Sequence, residues 1–428
     1  MNLRDFARAG HAPTLFSAFL YFDISFMVWV LLGALANSIV PDFGLSDAEK
    51  GFMVALPILG GAVLRLVLGV MTDHFGARRT GLIGLMLTLV PLLMGWLWAD
   101  SFSKLLLVGL MLGVAGASFA VALPLAGRWY PPQYQGLAMG IAGAGNSGTA
   151  LATFFGPRLA EVWGWQFVFG LALIPIVLTL TIFFVCAKDS PDQPPAKPLT
   201  AYLPVLRQRD TWWFCFFYAV TFGGFVGLAS FLNIFFHGQY ELDRVQAGNF
   251  ASLCVIAGSF LRPIGGYLAD RFGGIRMLVM LYVGAGATMA ALSALPPLLA
   301  ATFLLFAGMG MLGMGNGAVF QLVPQRFPKE IGVITGIVGA AGGVGGFFLP
   351  TLLGGLKQIS GSYTSGFLIF GIVGFACAAA LVHVSKSWEG RFVAHGGLAA
   401  NASTAERAVP ILQRGAQPAA ALVEVKSA

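Results

Sequence analysis

Charge is scarce in this sequence. Only 10% of its 428 residues are Asp, Glu, Lys or Arg, against about 25% in a soluble domain. So few charges cannot cover a water-exposed surface, so the chain faces lipid. Cysteine is scarcer still. Cys186, Cys215, Cys254 and Cys377 lie far apart, which excludes a C-x-x-C redox or metal motif. The five histidines are scattered too, so no metal cluster is expected. No G-x-x-x-x-G-K-[ST] string occurs, which argues against an ATP-driven pump. Two G-x-G-x-x-G strings, at 143–148 and 308–313, fall inside apolar runs and follow no strand. They are packing glycines rather than a dinucleotide site. No nucleophile–base pair and no cofactor motif is found, so neither an enzyme nor a resident cofactor is expected.

Long apolar runs are abundant. Stretches of about 18 residues or more read as membrane-spanning helices. Twelve are found, near 13–40, 50–72, 80–99, 104–128, 135–157, 165–187, 211–237, 245–269, 275–295, 298–323, 331–356 and 363–385. The dyad alternation of a membrane barrel is missing, so the expected fold class is an all-α membrane protein. A cleaved signal at the first run is the weaker reading, because the run is long and contains Asp23.

With both termini placed in the cytoplasm, eighteen of the 25 Lys and Arg fall on cytoplasmic loops, linker and tails, and five fall outside. That is the positive-inside pattern, and it predicts an inner-membrane, multi-pass protein. The net charge of +7 is then a topology signal and needs no nucleic-acid partner. Only two basic residues remain, Arg65 and Arg262, and both lie inside spans.

The chain is a duplication. The segment 64–79, LRLVLGVMTDHFGARR, parallels 261–276, LRPIGGYLADRFGGIR, at an offset of 197. The segment 136–145, GLAMGIAGAG, parallels 332–341, GVITGIVGAA, at an offset of 196. A Pro- and charge-rich stretch separates the halves. The expected domains are 1–187, a six-helix bundle; 188–209, a cytoplasmic linker; 210–387, a second six-helix bundle; and 388–428, a disordered cytoplasmic tail. Two parallel repeats of six helices are the plan of a rocker-switch transporter.

Arg65 and Arg262 each sit eight residues before an aspartate, Asp73 and Asp270. On a helix that is about 12 Å, which puts each guanidinium near the bilayer midplane. A charge at that depth must face a wet cavity or a partner. A parallel repeat brings matched positions face to face, and an oxyanion between two guanidiniums would relieve their repulsion. Separate structural contacts for each arginine are the alternative. Asn146 is a lone amide in the glycine-rich run 140–148, suited either to helix–helix contact or to a substrate oxygen. Asp23 is the only carboxylate within the spans, about 15 Å from the cytoplasmic start of its helix. It reads as a proton relay, or as a helix cap or ion-pair partner.

The loops GVMTDHFGARR and GYLADRFGGIR resemble the cytoplasmic loop motif of the major facilitator superfamily. The resemblance implies a breakable latch at Asp73, Arg78 and Arg79, and at Asp270, Arg271 and Arg276. His74 replaces the usual Arg in the first copy, and the second has one extra residue before Arg276. The surroundings of Arg65, Arg262 and Asn146 resemble the nitrate/nitrite porter family of this superfamily, over nearly all of residues 13–386. That resemblance implies that the two arginines clamp the anion and that Asn146 touches it. It implies an aromatic pair around the anion, Phe119 and Phe320, with Tyr218 and Phe222 on span seven. Ala144 stands where many members carry Trp. The implied function is secondary transport of nitrate or nitrite by a monomer. Proton-coupled uptake through Asp23 is the leading expectation. Nitrate/nitrite exchange, or carriage of another small or organic anion, is the alternative. A receptor with a transporter-like body would show no flux.

Overall fold

The computed structural model describes residues 6, 8–191, 200, 203–328 and 330–400. We number its long helical rods α1 to α12: α1 (Ala12–Phe43, bent at Val30), α2 (Asp47–Phe75), α3 (Ala77–Leu97), α4 (Phe102–Gly127, interrupted at residues 117–118), α5, α6 (Trp165–Cys186), α7 (Arg209–Tyr240), α8 (Arg244–Phe272), α9 (Gly274–Leu292), α10 (Leu298–Arg326), α11 (Ile331–Ser360) and α12 (Thr364–Ser385). Among the described residues, eleven helices are long and apolar enough to cross a membrane. The twelfth rod, α5, is broken into Pro132–Gly143, a 3-10 turn Ala144–Ser147, and Gly148–Trp163. The run GAGNSG supplies too little side-chain packing to hold one regular helix there.

The duplication is written into the helix ends. Ser46 caps α2 in a capping box with Glu49, and Asp243, 197 residues later, caps α8 by accepting from the Gln246 N–H. Both helices stop at a glycine with positive φ, Gly76 at 87° and Gly273 at 96°. Only glycine adopts that backbone without strain, and the chain turns at once into α3 or α9.

The outer faces are apolar, as lipid demands. Ile174, Leu178, Leu299 and Phe303 are all more than half exposed, and no soluble protein would leave such a belt uncovered.

The first stretch after α12 departs from the expected disorder. Trp388 is buried, stacked on Phe214 of α7 at 4.9 Å, and donates its indole N–H to Asp210 at 3.0 Å. Val393 is also buried, and His395 contacts Arg276. Three aromatic or β-branched residues, Trp388, Phe392 and Val393, give residues 388–400 enough apolar surface to dock. Residues 401–428 lie outside the described residues. Trp388→Ala removes a buried stacked ring, a loss of about 3 kcal/mol or more. It is expected to lower the thermal unfolding midpoint of the detergent-solubilised protein by several degrees. An unchanged midpoint would mean that the docked segment adds no stability.

Candidate functional site

Arg65 of α2 is fully buried in the middle of the molecule. Its Nε donates to the Gly116 carbonyl at 3.0 Å, and its Nη1 donates to the Gly339 carbonyl of α11, in the other half, at 2.7 Å. Four rings surround the guanidinium, with centroids 4.6 Å (Phe222), 5.1 Å (Trp29), 5.2 Å (Phe119) and 6.0 Å (Phe26) away. Aromatic faces stabilise a desolvated cation. Arg262 of α8, 7% exposed, lies over the same Phe119 ring at 5.7 Å. The two guanidiniums therefore share one ring. The Tyr218 side chain lies beside Arg262.

The glycine-rich runs meet the arginines crosswise. Gly143 of α5 faces Arg262, its missing Cβ 3.8 Å from Nε, and Gly339 of α11 faces the stem of Arg65. These glycines are 196 residues apart, so each half offers its glycine run to the arginine of the other. A Cβ at Gly339 would come within 3.2 Å of the Phe119 ring, tighter than ordinary contact, so the small residue keeps backbone and ring close.

The aromatic residues implied by the resemblance come together. Tyr218 and Phe222 stack at 5.2 Å, Tyr218 meets Phe320 edge-on at 5.0 Å, and Phe119 meets Phe320 at 6.0 Å and 52°. Two parallel ring contacts of about 3.5 Å each would require about 7 Å. Phe119 and Phe320 therefore touch here, and must part for a flat anion to lie between them.

Asn146 sits in the 3-10 turn of α5, one turn beyond Gly143, fully buried with neither amide atom bonded. Ser147 beside it donates to the Asp23 carboxylate at 2.6 Å, and the Gly148 N–H bonds the same side chain. Asp23 thus holds the broken point of α5 to α1. Asn316 of α10 was missed by the sequence reading. It too is fully buried with both amide atoms unpartnered, four residues before Phe320. Its setting GMGNGAV carries the signal that singled out Asn146, a lone amide in a small-residue helix. Trp29 and Phe26 were also missed, because an apolar ring in a span carries no mark of its role.

Arg65 Nη2 and Arg262 Nη1 are buried donors without partners. Unpartnered buried donors are costly, and guanidinium donors suit an oxyanion. A cavity of about 790 Å³ between α2, α4, α7 and α11 has Arg65 and Asp73 among its lining residues, along with the partly exposed Val63, Trp212 and Phe348.

The contacts of the expected latch residues run to neighbouring helices, the linker and the segment after α12. Asp73 pairs with Arg128 at 2.8 Å rather than with Arg78 or Arg79. The Arg78 N–H donates to Asp189 and its guanidinium to the Phe184 carbonyl, while Arg79 is exposed. Asp270 bonds Gln321, Arg271 lies over Phe272, and Arg276 reaches His395. Arg78, Arg79 and Arg276 stand on the far side of the glycine turn from their aspartate, whereas Arg271 ends α8 beside Asp270.

Residues 17–350 match the family model of the Major Facilitator Superfamily. The "Nitrite extrusion protein" of Bacillus subtilis is 34% identical, with 86% of this chain and 93% of that one covered. The "Probable nitrate/nitrite transporter NarK2" of Mycobacterium tuberculosis is 36% identical, over 88% of this chain and 98% of its own. Among solved structures, a D-xylose–proton symporter superposes with a TM-score of 0.71 at 16% identity, over 86% of this chain and 96% of that one, a likeness of fold alone. The chain belongs to the major facilitator superfamily, and within it to the nitrate/nitrite porters.

Proposed function

We propose that this protein carries nitrate and nitrite across the cytoplasmic membrane by alternating access, as a monomer with both termini in the cytoplasm. The observation that carries the reading is the pair of midplane arginines sharing the Phe119 ring, each with an unpartnered guanidinium nitrogen and each faced by the glycine run of the other half. Two planar forks suit a small flat oxyanion, and the relatives' names point the same way. Residues 1–187 and 210–387 are the two rocking bodies, 188–209 joins them, and the anion sits between. Coupling to protons runs through Asp23, with electroneutral nitrate/nitrite exchange as the alternative.

The test is counterflow in proteoliposomes. Internal nitrate or nitrite should drive uptake of labelled nitrate or nitrite, while formate, phosphate and lactate should not. Uptake driven equally by an organic anion would replace this substrate assignment.

Asn316 belongs to the polar complement of the site alongside Asn146. Asn316→Leu keeps the volume and removes the amide. A hydrogen bond to a charged group contributes about 1.5–3 kcal/mol, so the apparent nitrate affinity should fall about tenfold or more. Wild-type affinity in a well-folded Asn316→Leu protein would assign the amide to packing.

A further inference from the structure

At the end of the molecule opposite Asp73 and Asp270 the halves are in contact beside a cavity of about 240 Å³ lined by Asn37, Asp47, Ile234 and His237, and these contacts repeat the internal symmetry. Helices α1 and α7 cross where Gly33 meets Ser230, 197 residues apart, and a Cβ on Gly33 would run into the Ser230 carbonyl. One turn further along, Asn37 donates its side-chain amide to the Asn233 carbonyl at 2.8 Å. Asn233, 196 residues after Asn37, returns the contact by donating its amide to the Ala34 carbonyl at 3.2 Å and the Gly33 carbonyl at 3.4 Å. Both asparagines are buried. The flanking crossings are matched as well. Gly51 of α2 packs on the Pro350 carbonyl and Gly354 of α11, and Gly248 of α8, 197 residues on, packs on the Thr153 carbonyl and Pro157 of α5.

We infer that Asn37 and Asn233 form a reciprocal amide clasp that locks this end shut and opens once in each transport cycle. The inference rests on the alternating-access reading and adds the lock that the reading requires. The chemistry suits a bond made to be broken. Each acceptor is a helix carbonyl that also serves its own helix, so a second lone pair takes the amide. When the halves part, the carbonyls keep their helical partners and the asparagine amides pass to incoming water. The seam also holds groups that gain by opening. Asn233 Oδ1 and Ser230 Oγ are buried there with no hydrogen-bond partner, and water entering the seam would satisfy both. The clasp donors oppose that gain, so opening exchanges one set of hydrogen bonds for another, as a switching element requires.

The experiment measures distance across this end by double electron–electron resonance. Spin labels go at Val162 and Leu299, both more than half exposed, in the full chain with Cys186→Ser, reconstituted without nitrate or nitrite. Losing a hydrogen bond of ordinary strength shifts an equilibrium about fivefold. Asn37→Ala and Asn233→Ala should each raise the ratio of long- to short-distance populations about that much, and the double variant should raise it further. The Asn37→Leu/Asn233→Leu pair keeps the volume, so it tests the clasp even if the alanine pair fails to fold. A folded double variant with the wild-type distance distribution overturns the clasp. Because no substrate is present, this result is independent of the anion assignment, and counterflow tests that assignment separately.

Discussion

Arg262→Lys is expected to lower the apparent affinity for nitrate by about 100-fold or more, with Arg65→Lys at least as severe. A lysine keeps the charge but presents one ammonium where the arginine presents a planar fork. Charge-assisted hydrogen bonds contribute about 1.5–3 kcal/mol each. Two such bonds lost at about 1.5 kcal/mol amount to roughly two decades in affinity. The two positions should differ in one respect. Arg65 also holds the Gly116 and Gly339 carbonyls and sits in a box of four rings, so its lysine variant should lose thermal stability even without anion. Arg262 meets the Phe119 ring and the Tyr218 side chain, a smaller set of contacts, so its lysine variant should lose less thermal stability while losing stabilisation by added nitrate. Counterflow kinetics and nitrate-dependent thermal shifts read the two effects apart. Near-normal nitrate affinity in Arg262→Lys would falsify the two-arginine clamp.

Not every part of this arrangement was readable from the sequence. The spans were, because lipid demands unbroken apolar runs and loops punctuate them. The arginine pair stood out for a related reason: a guanidinium in a span is rare enough to need an explanation, and the repeat put the second at the matched position. The sequence also placed the glycine runs, although not their crosswise meeting with the arginines of opposite halves. That pairing depends on how α5 and α11 cross the interface, which no local pattern encodes.

The aromatic shell was different. The chain holds 37 Phe and 9 Tyr, and a ring facing lipid has the same local pattern as a ring facing a cation. Phe119, Phe222, Tyr218 and Phe320 were named by family resemblance alone, and Trp29 and Phe26 went unnoticed. Asn316 was a different kind of miss, since the rule applied to Asn146 would have found it. The docked segment after α12 was hidden by averaging: three anchoring side chains in 388–400 were diluted by a long run of Ala and Gly behind them. The clasp shows the converse. Asn37 and Asn233 are repeat partners in the sequence, but their function requires that two carbonyls lie across the interface, and only the fold supplies those.

Asp23→Asn is expected to abolish pH-gradient-driven accumulation of nitrate while leaving counterflow close to wild type. Nitrate entry into a negative-inside compartment is uphill by about 2.3 kcal/mol per 100 mV. One proton per anion cancels that opposition and leaves the pH gradient as the drive, more than one turns the potential into a drive, and exchange for an internal anion needs no proton. Asp23 is placed to link a proton to the anion site, since its carboxylate holds Ser147 and the Gly148 N–H at the break in α5, next to Asn146. A proton on Asp23 removes an acceptor from that junction, frees the turn and alters the aim of the Asn146 amide. Asparagine has nearly the shape of the protonated acid: it keeps one acceptor oxygen for Ser147 and cannot titrate, so it keeps part of the cap, leaves anion exchange possible and removes the titrating group. Asp23→Ala provides the contrast: it removes both, and should impair counterflow as well, because the 3-10 turn loses its tie to α1. Three flux measurements separate the readings: accumulation with an imposed pH gradient, nitrate/nitrite counterflow, and counterflow with the gradient collapsed. If Asp23→Asn accumulates nitrate like the wild type, Asp23 is a permanent cap and the proton route lies elsewhere. If the wild type itself shows no response to the gradient but exchanges nitrate for nitrite, the carrier is an electroneutral exchanger and the buried carboxylate serves the fold of α5.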